Sequence, residues 1–267
     1  MRSTPDSWDS RFGAEVYAEA LSRGTLYREL SRRLIDWLAP TPGQTVLDLA
    51  CGTAIAAAPL YARLGPEGRV LGLDRAQAML AWARSTTPSF VAQFARVDLS
   101  RLPLGDHVAD GALCSAAFWH FARREALLKE LARVLRRDAR LVLNIPATQL
   151  AGVDAGLPAP IMLALARAGE ELFGYPPEAS GPIVSRAALE HDAHTAGWQL
   201  RTEQQADHLV AQRELIELLE VPAIGARFYP DKPAELRRQW LDQAIDQVDR
   251  EERVLVRWHE LLLTRTR

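Results

Sequence analysis

Asp48, Asp74 and Asp98 recur at similar intervals, each at the end of a short apolar run. Asp48 opens Asp48-Leu-Ala-Cys-Gly-Thr-Ala54, whose small residues let backbone approach a ligand and let helix amides point at it. Asp74 follows Gly52 by 22 residues. That is close to the ~20-residue interval at which an acid accepts hydrogen bonds from ribose hydroxyls. Asp98 is placed to meet a polar base edge. One small-residue turn says little; three acids at three successive strand ends point to an adenosine-containing ligand across the first three strands. Each acid also reads as a helix or turn cap. His120, in Phe118-Trp-His120, follows a fourth apolar run. An imidazole titrates near working pH and suits acid/base work on a hydroxyl, an amine or an acidic carbon. A histidine packed under a covering segment would look the same.

The other reactive side chains read as structural. His191 and His194 flank Asp192 without a third ligand at convincing spacing, so a surface helix is expected and no metal. Cys51 and Cys114 sit in apolar stretches with no neighbouring His or Lys, as buried packing does. Two such thiols suit a reducing compartment. Of 267 residues, 48% are hydrophobic and 25% charged, which excludes a wholly disordered chain. Lys and Arg number 32 against 34 Asp and Glu. That balance argues against a protein that grips nucleic-acid backbones. Residues 1–8 hold no apolar leader, and no apolar run approaches the ~18 residues of a membrane span. A cytoplasmic monomer or homodimer without membrane insertion is expected.

The elements that must position these residues follow from periodicity. Apolar residues at helical spacing predict a helix over 8–38, stopped by Pro40, Pro42 and Gly43. Strands are predicted over 45–50, 69–73, 90–97, 108–116 and 141–145, with helices to about Leu64 and over 75–84 and 123–137. Five strands alternating with helices indicate a parallel sheet covered on both faces. Helices follow over 158–173, 185–196, 213–220 and 233–250, with strands over 198–204 and 254–263. The divisions expected within one domain are a helical lid over 1–42, a nucleotide-binding core over 43–146, and cap insertions with the last two strands over 147–267.

These residues bring a family into view. Val46-Leu-Asp-Leu-Ala-Cys-Gly-Thr53 resembles the first motif of class I S-adenosylmethionine-dependent methyltransferases. Val70-Leu-Gly-Leu-Asp74 with Met79-Leu80, the run Asp98 to Leu113, and Leu131 to Leu143 are similar to its later motifs, as in the ubiquinone/menaquinone-type branch. The resemblance implies an α/β, Rossmann-like, doubly wound and mostly parallel seven-stranded sheet whose last strand is antiparallel, plus helical cap segments. It implies S-adenosylmethionine as cofactor and S-adenosylhomocysteine as product. Backbone around Ala50, Gly52 and Thr53 would hold the methionine part, with Asp48 ordering the turn or facing the amino group. Asp74 would take the ribose hydroxyls, Met79 would pack on adenine, and Asp98 with the Leu99 amide would read its edge. Cys114 to Phe118 would line the sulfonium side, and His120 is the candidate base.

The family usually has Gly where this chain has Ala50 and Ala54, and Pro-Gly-Gly where it has Arg137-Asp138-Ala139. A methyl group at position 54 costs on the order of 1 kcal/mol if φ is positive there. Trp8, Phe12, Tyr17, Ile161, Met162, Phe173, Tyr175, Phe228 and Tyr229 are candidates to cover the site or merely to bury the added helices. They favour a small hydrophobic or aromatic acceptor, methylated at oxygen rather than nitrogen or carbon. Two alternatives stay open: a related fold that binds the cofactor or another ligand without methylating, and an NAD(P)-dependent oxidoreductase. The second lacks a hydride-transfer partner such as Tyr-x-x-x-Lys.

Overall fold

Short apolar runs alternating with amphipathic ones become a seven-stranded sheet between helices. The computed structural model describes residues 7–177 and 181–266; the first six residues of the expected lid lie outside them. In chain order the elements are α1 Arg11–Arg23, α2 Leu26–Leu38, β1 Thr45–Leu49, α3 Ala57–Leu64, β2 Arg69–Asp74, α4 Gln77–Thr86, β3 Gln93–Arg96 and β4 Ala109–Cys114. Then come α5 Arg124–Val134, β5 Leu135–Pro146, β6 Leu150–Ala151, α6 Pro160–Phe173, β7 Val184–Ser185, α7 Arg186–Thr195, β8 Trp198–Ala211, α8 Gln212–Leu219, α9 Pro222–Gly225, α10 Ala234–Ile245 and β9 Arg253–Arg265.

The large sheet has the order β3-β2-β1-β4-β5-β9-β8. The first five strands run parallel, and β9 is antiparallel to both of its neighbours. This is the expected doubly wound sheet with its last strand reversed. Strand order reverses between β1 and β4, which opens a crevice at their carboxyl ends, where such sheets bind ligands. Both strands are buried on both faces, with Val46, Leu47, Leu49, Ala112, Leu113 and Cys114 at 1% exposure or less. That explains why they read as continuous apolar runs. One core lies between the sheet and α5, α6, α7 and α10, and a second lies under α2 and α3.

Three expectations need correction. The helix predicted over 8–38 is two helices. Gly24 ends α1, and Glu214 of α8 accepts from the Thr25 and Leu26 amides, at 2.6 and 2.9 Å, to start α2. A distant carboxylate acting as an N-cap leaves no local sequence signal. The helix predicted over 123–137 stops at Val134, because His107 and Val108 donate to the carbonyls of Arg133 and Val134 and draw the chain into the sheet. Arg137, the last residue of the predicted helix, and Asp138-Ala139 after it are therefore strand, beside an irregularity in β4–β5 pairing. Finally, β8 runs seven residues past Gln204, paired with β9 along its length, and the β6–β7 pair was not anticipated.

Arg33 of α2 grips Glu260 of β9 with both carboxylate oxygens, at 2.5 and 2.7 Å. Glu260 has no solvent exposure, whereas the arginine side chain is 26% exposed. Removing only the cation strands a buried charge. Arg33→Met is expected to cost about 3 kcal/mol, and adding Glu260→Met to recover most of it. Urea denaturation of both variants checks the pair.

Candidate functional site

The turn after β1 is unusual backbone. Ala50, Gly52 and Ala54 have φ of 53°, 53° and 70°, so three of five residues are left-handed. Glycine pays nothing for this, whereas each alanine carries strain. Backbone bonds hold the shape: the Cys51 amide donates to the Leu73 carbonyl at 3.2 Å, and the Ala54 amide to Cys51 at 2.8 Å. Asp74, the last residue of β2, completes it. Its Oδ2 accepts from the Gly52 amide at 2.9 Å and its Oδ1 from the Ala76 amide at 2.8 Å. Each carboxylate oxygen keeps a further lone pair for another donor. Burial raises the Asp74 pKa, and the amide bonds partly offset it.

Asp48 lines the same crevice at 4% exposure, and no donor among the described residues bonds to its carboxylate. Burial, and then the neighbouring Asp74, push its pKa up to about 7. It lies opposite Tyr17 and Tyr27, from α1 and α2. A Cβ on Gly52 would stand 3.6 Å from the Tyr17 ring, so α1 closes directly on the turn. On the β4 side the Ser31 hydroxyl donates to that of Ser115 at 3.2 Å. Asn144, wholly buried on β5, accepts from the Ala116 amide at 2.6 Å and holds Ala116 at φ 54°, while its Nδ2 has no partner.

Beside the crevice, side chains from four parts of the chain form a closed circuit. Trp8 packs edge-on to Tyr17 at 5.4 Å, Tyr17 to Tyr27 at 6.3 Å, Tyr27 to Trp258 at 6.3 Å, and Trp258 to Trp119 at 5.7 Å. Trp119 meets His120 at 4.6 Å. Arg227 donates to His120 Nε2 at 3.0 Å and lies 5.6 Å from the centre of the Trp8 ring, closing the loop. Burial, then Arg227, pull the His120 pKa down to about 3, so its ring stays neutral at ordinary pH.

Asp48, Ala50, Gly52 and Thr53 share the crevice wall, and Asp74 is bonded to it through Gly52. Met79 is buried against Ala14 and Ala76, with Trp8 and Tyr17 packed on the same cluster. Asp98 is exposed and caps its own turn, accepting from the Ser100 amide at 2.9 Å and hydroxyl at 2.7 Å; Leu99 beside it is buried. Cys114 and Phe118 are wholly buried in the core, below the crevice. Asp192 pairs with Arg124 at 3.3 Å. Of the covering aromatics, Trp8 and Tyr17 reach the site. Phe12 is 63% exposed, and Phe228 and Tyr229 pack under α10 against Trp240. Ser31, Asn144 and Arg227 escaped sequence reasoning. Each is a polar residue in an apolar setting, which is a signal, but one that many structural residues share.

Comparison with known proteins agrees with this layout. A family profile described as a methyltransferase domain matches residues 47–143. Nocamycin O-methyltransferase of Saccharothrix syringae is 30% identical over 214 residues, 75% of this chain and 71% of that one. The 2-phytyl-1,4-naphtoquinone methyltransferase of Synechococcus elongatus is 34% identical over 145 residues, 51% of this chain and 62% of its own. The chain spans 38–62% of the length of the relatives it matches at 34% identity. The crystal structure of the [4+2]-cyclase SpnF superposes with a TM-score of 0.59 at 18% identity, covering 90% of this chain and 81% of that one, a likeness of fold.

The left-handed alanine makes a measurable claim. Ala54→Gly removes a Cβ penalty of about 1–2 kcal/mol and adds a smaller unfolded-state entropy cost. Thermal unfolding is expected to show a net gain of about 0.5–1 kcal/mol; a loss would mean that the Ala54 methyl packs favourably enough to outweigh its strain.

Proposed function

We propose that this chain, which belongs to the class I S-adenosylmethionine-dependent methyltransferase family, transfers a methyl group to oxygen on a small hydrophobic or aromatic acceptor. The observation that carries the reading is the pairing of Asp48 and Asp74 around a small-residue turn at the switch point of the sheet. These residues fit the cofactor. Asp48 is a buried carboxylate without a donor among the described residues, the counter-charge that an amino acid's ammonium group requires. Asp74 keeps lone pairs for ribose hydroxyls, and exposed Asp98 with the Leu99 amide is free to meet the adenine edge. Ala50, Gly52 and Thr53 supply backbone, Met79 an apolar surface beneath, and Cys114 to Phe118 the floor on the acceptor side.

When bound, S-adenosylmethionine supplies a methyl group activated by a positively charged sulfur. The protein then needs chiefly to align the acceptor and exclude water, because proximity carries most of the acceleration of an in-line displacement. The helices over residues 7–42 act as the lid, residues 43–146 as the cofactor core, and the later segments as the cap. The relative named as a nocamycin O-methyltransferase supports oxygen as the methylated atom, and the one named for a naphthoquinone supports a ring-bearing acceptor. The two buried free thiols, Cys51 and Cys114, suit a reducing cytoplasm.

Calorimetry with S-adenosylhomocysteine, S-adenosylmethionine and NADP tests the reading. Micromolar binding of the adenosyl ligands alone is expected; failure of both to bind purified, ligand-free protein overturns it. Asp48 also sets a pH dependence. Its folded pKa, near 7, lies above the carboxylate value of an unfolded chain, so the folded apoprotein holds the extra proton and loses stability as pH rises from about 4 through 7. Asp74, Tyr17, Tyr27, Cys51 and Cys114 are the titratable groups beside it among the described residues. Binding an ammonium requires the ionised form, so affinity for S-adenosylhomocysteine should climb as pH rises from 6 to 8. In Asp48→Asn that climb should flatten, and the apoprotein should gain stability at pH 8.

A further inference from the structure

Arg227 is a half-buried guanidinium with no carboxylate in ion-pair range among the described residues. Its Nη1 donates to His120, and the face of Trp8 lies 5.6 Å away. The groups acting electrically on it are the Tyr27 hydroxyl and exposed Arg75; those acting on His120 are Arg227 and Arg75. Among the described residues, no acid acts on either. A cation withdrawn from water without a counter-charge is costly, and burial pulls its pKa down. Its surroundings are flat: Trp8, Tyr17, Tyr27, Trp119 and Trp258 complete the circuit with His120. Gly181 lies over the same place, a Cβ there standing 3.8 Å from both His120 and Trp119.

We infer that Arg227 and His120 form the acceptor's recognition site, and that the acceptor is a planar, unsaturated ring bearing an ionised oxygen. This rests on the methyltransferase reading and narrows it to a substrate class. The planar fork of Arg227 matches a delocalised oxyanion and offers two donors to it, while the aromatic rings take up the acceptor's faces. His120 completes the logic. Held neutral beside a cation, it is a poor base, and an acceptor that arrives ionised leaves no proton to be removed. The ring nitrogen that accepts from Arg227 fixes the guanidinium in place. An enol or phenol acidic enough to ionise near pH 7 satisfies this chemistry, and so does a ring carboxylate.

The test is calorimetric titration of the full chain, saturated with S-adenosylhomocysteine, at pH 7.5. The probes are 4-hydroxycoumarin as the enolate, 1-naphthoate as the carboxylate, and coumarin as the neutral ring. At least one anion is expected to bind tenfold or more tightly than coumarin. The stronger of the two tells an acidic hydroxyl from a carboxylic acid. Arg227→Gln should erase the preference for the anion, and Arg227→Lys should keep part of it. Both variants should bind S-adenosylhomocysteine as the parent does, which shows that they are folded. Equal affinity for coumarin and the anions, no binding of either anion at millimolar concentration, or an undiminished preference in Arg227→Gln overturns the inference. Loss of S-adenosylhomocysteine binding by the parent instead overturns the reading beneath it.

Discussion

Asp74 is the tie on which the crevice depends. Its two oxygens hold one amide from the turn after β1 and one from the turn after β2. Without that carboxylate, two adjacent crossovers would each carry an unsatisfied amide near the sheet, and the left-handed run from Ala50 to Ala54 would have no anchor on its outer side. A buried acid that accepts two amides is a strong local constraint, because a charge-assisted bond is worth roughly twice a neutral one. The strain at Ala50 and Ala54 persists because the surroundings over-determine it. The same carboxylate adds to what burial does at Asp48: both acids are raised by burial, and the charge of Asp74 raises Asp48 further.

Much of this was legible in the sequence, and the exceptions share a cause. The central parallel strands β1 and β4 were readable because both of their faces are buried, and Val46, Leu47 and Leu49 have no choice but to be apolar. Asp48 and Asp74 were readable because spacing along βαβ units is fixed by geometry. The break at Gly24 was not, because the residue that starts α2 is Glu214, 188 positions from Leu26. The end of α5 at Val134 was hidden in the same way, since the amides that redirect the chain belong to His107 and Val108. Local periodicity carries local structure; junctions settled by a partner remote in sequence leave no periodic trace. Arg227 belongs to this second class. Its meaning comes from Trp8 and His120, and a lone arginine after a short helix carries none by itself.

Those remote contacts also couple the elements that would have to move. Glu214 holds the start of α2 and belongs to α8. Tyr17 on α1 rests on Gly52 and packs edge-on to Trp8, whose ring also meets Arg227 beyond α9. Opening the crevice for a ligand therefore separates Tyr17 from the β1 turn and disturbs the aromatic circuit at the same time. Cofactor and acceptor would meet one gate rather than two, and water would leave both compartments in a single closure.

The charge layout gives that gate a direction. Two buried acids, Asp48 and Asp74, lie on the β1–β2 side and Arg227 lies on the His120 side, while exposed Arg75, next to Asp74 in the chain, acts on both. A positively charged cofactor and a negatively charged acceptor would each find the pole that suits it and be repelled from the other. The aromatic circuit links the two, from Tyr17 on the Gly52 turn through Trp8 to Arg227, and its low polarity strengthens the charge interactions beside it. Methyl transfer from a cation to an anion destroys both charges, so both products become neutral at the reacting atoms and each loses the attraction that seated its parent. A site built this way holds its substrates together and loosens its grip once the reaction has removed the charges.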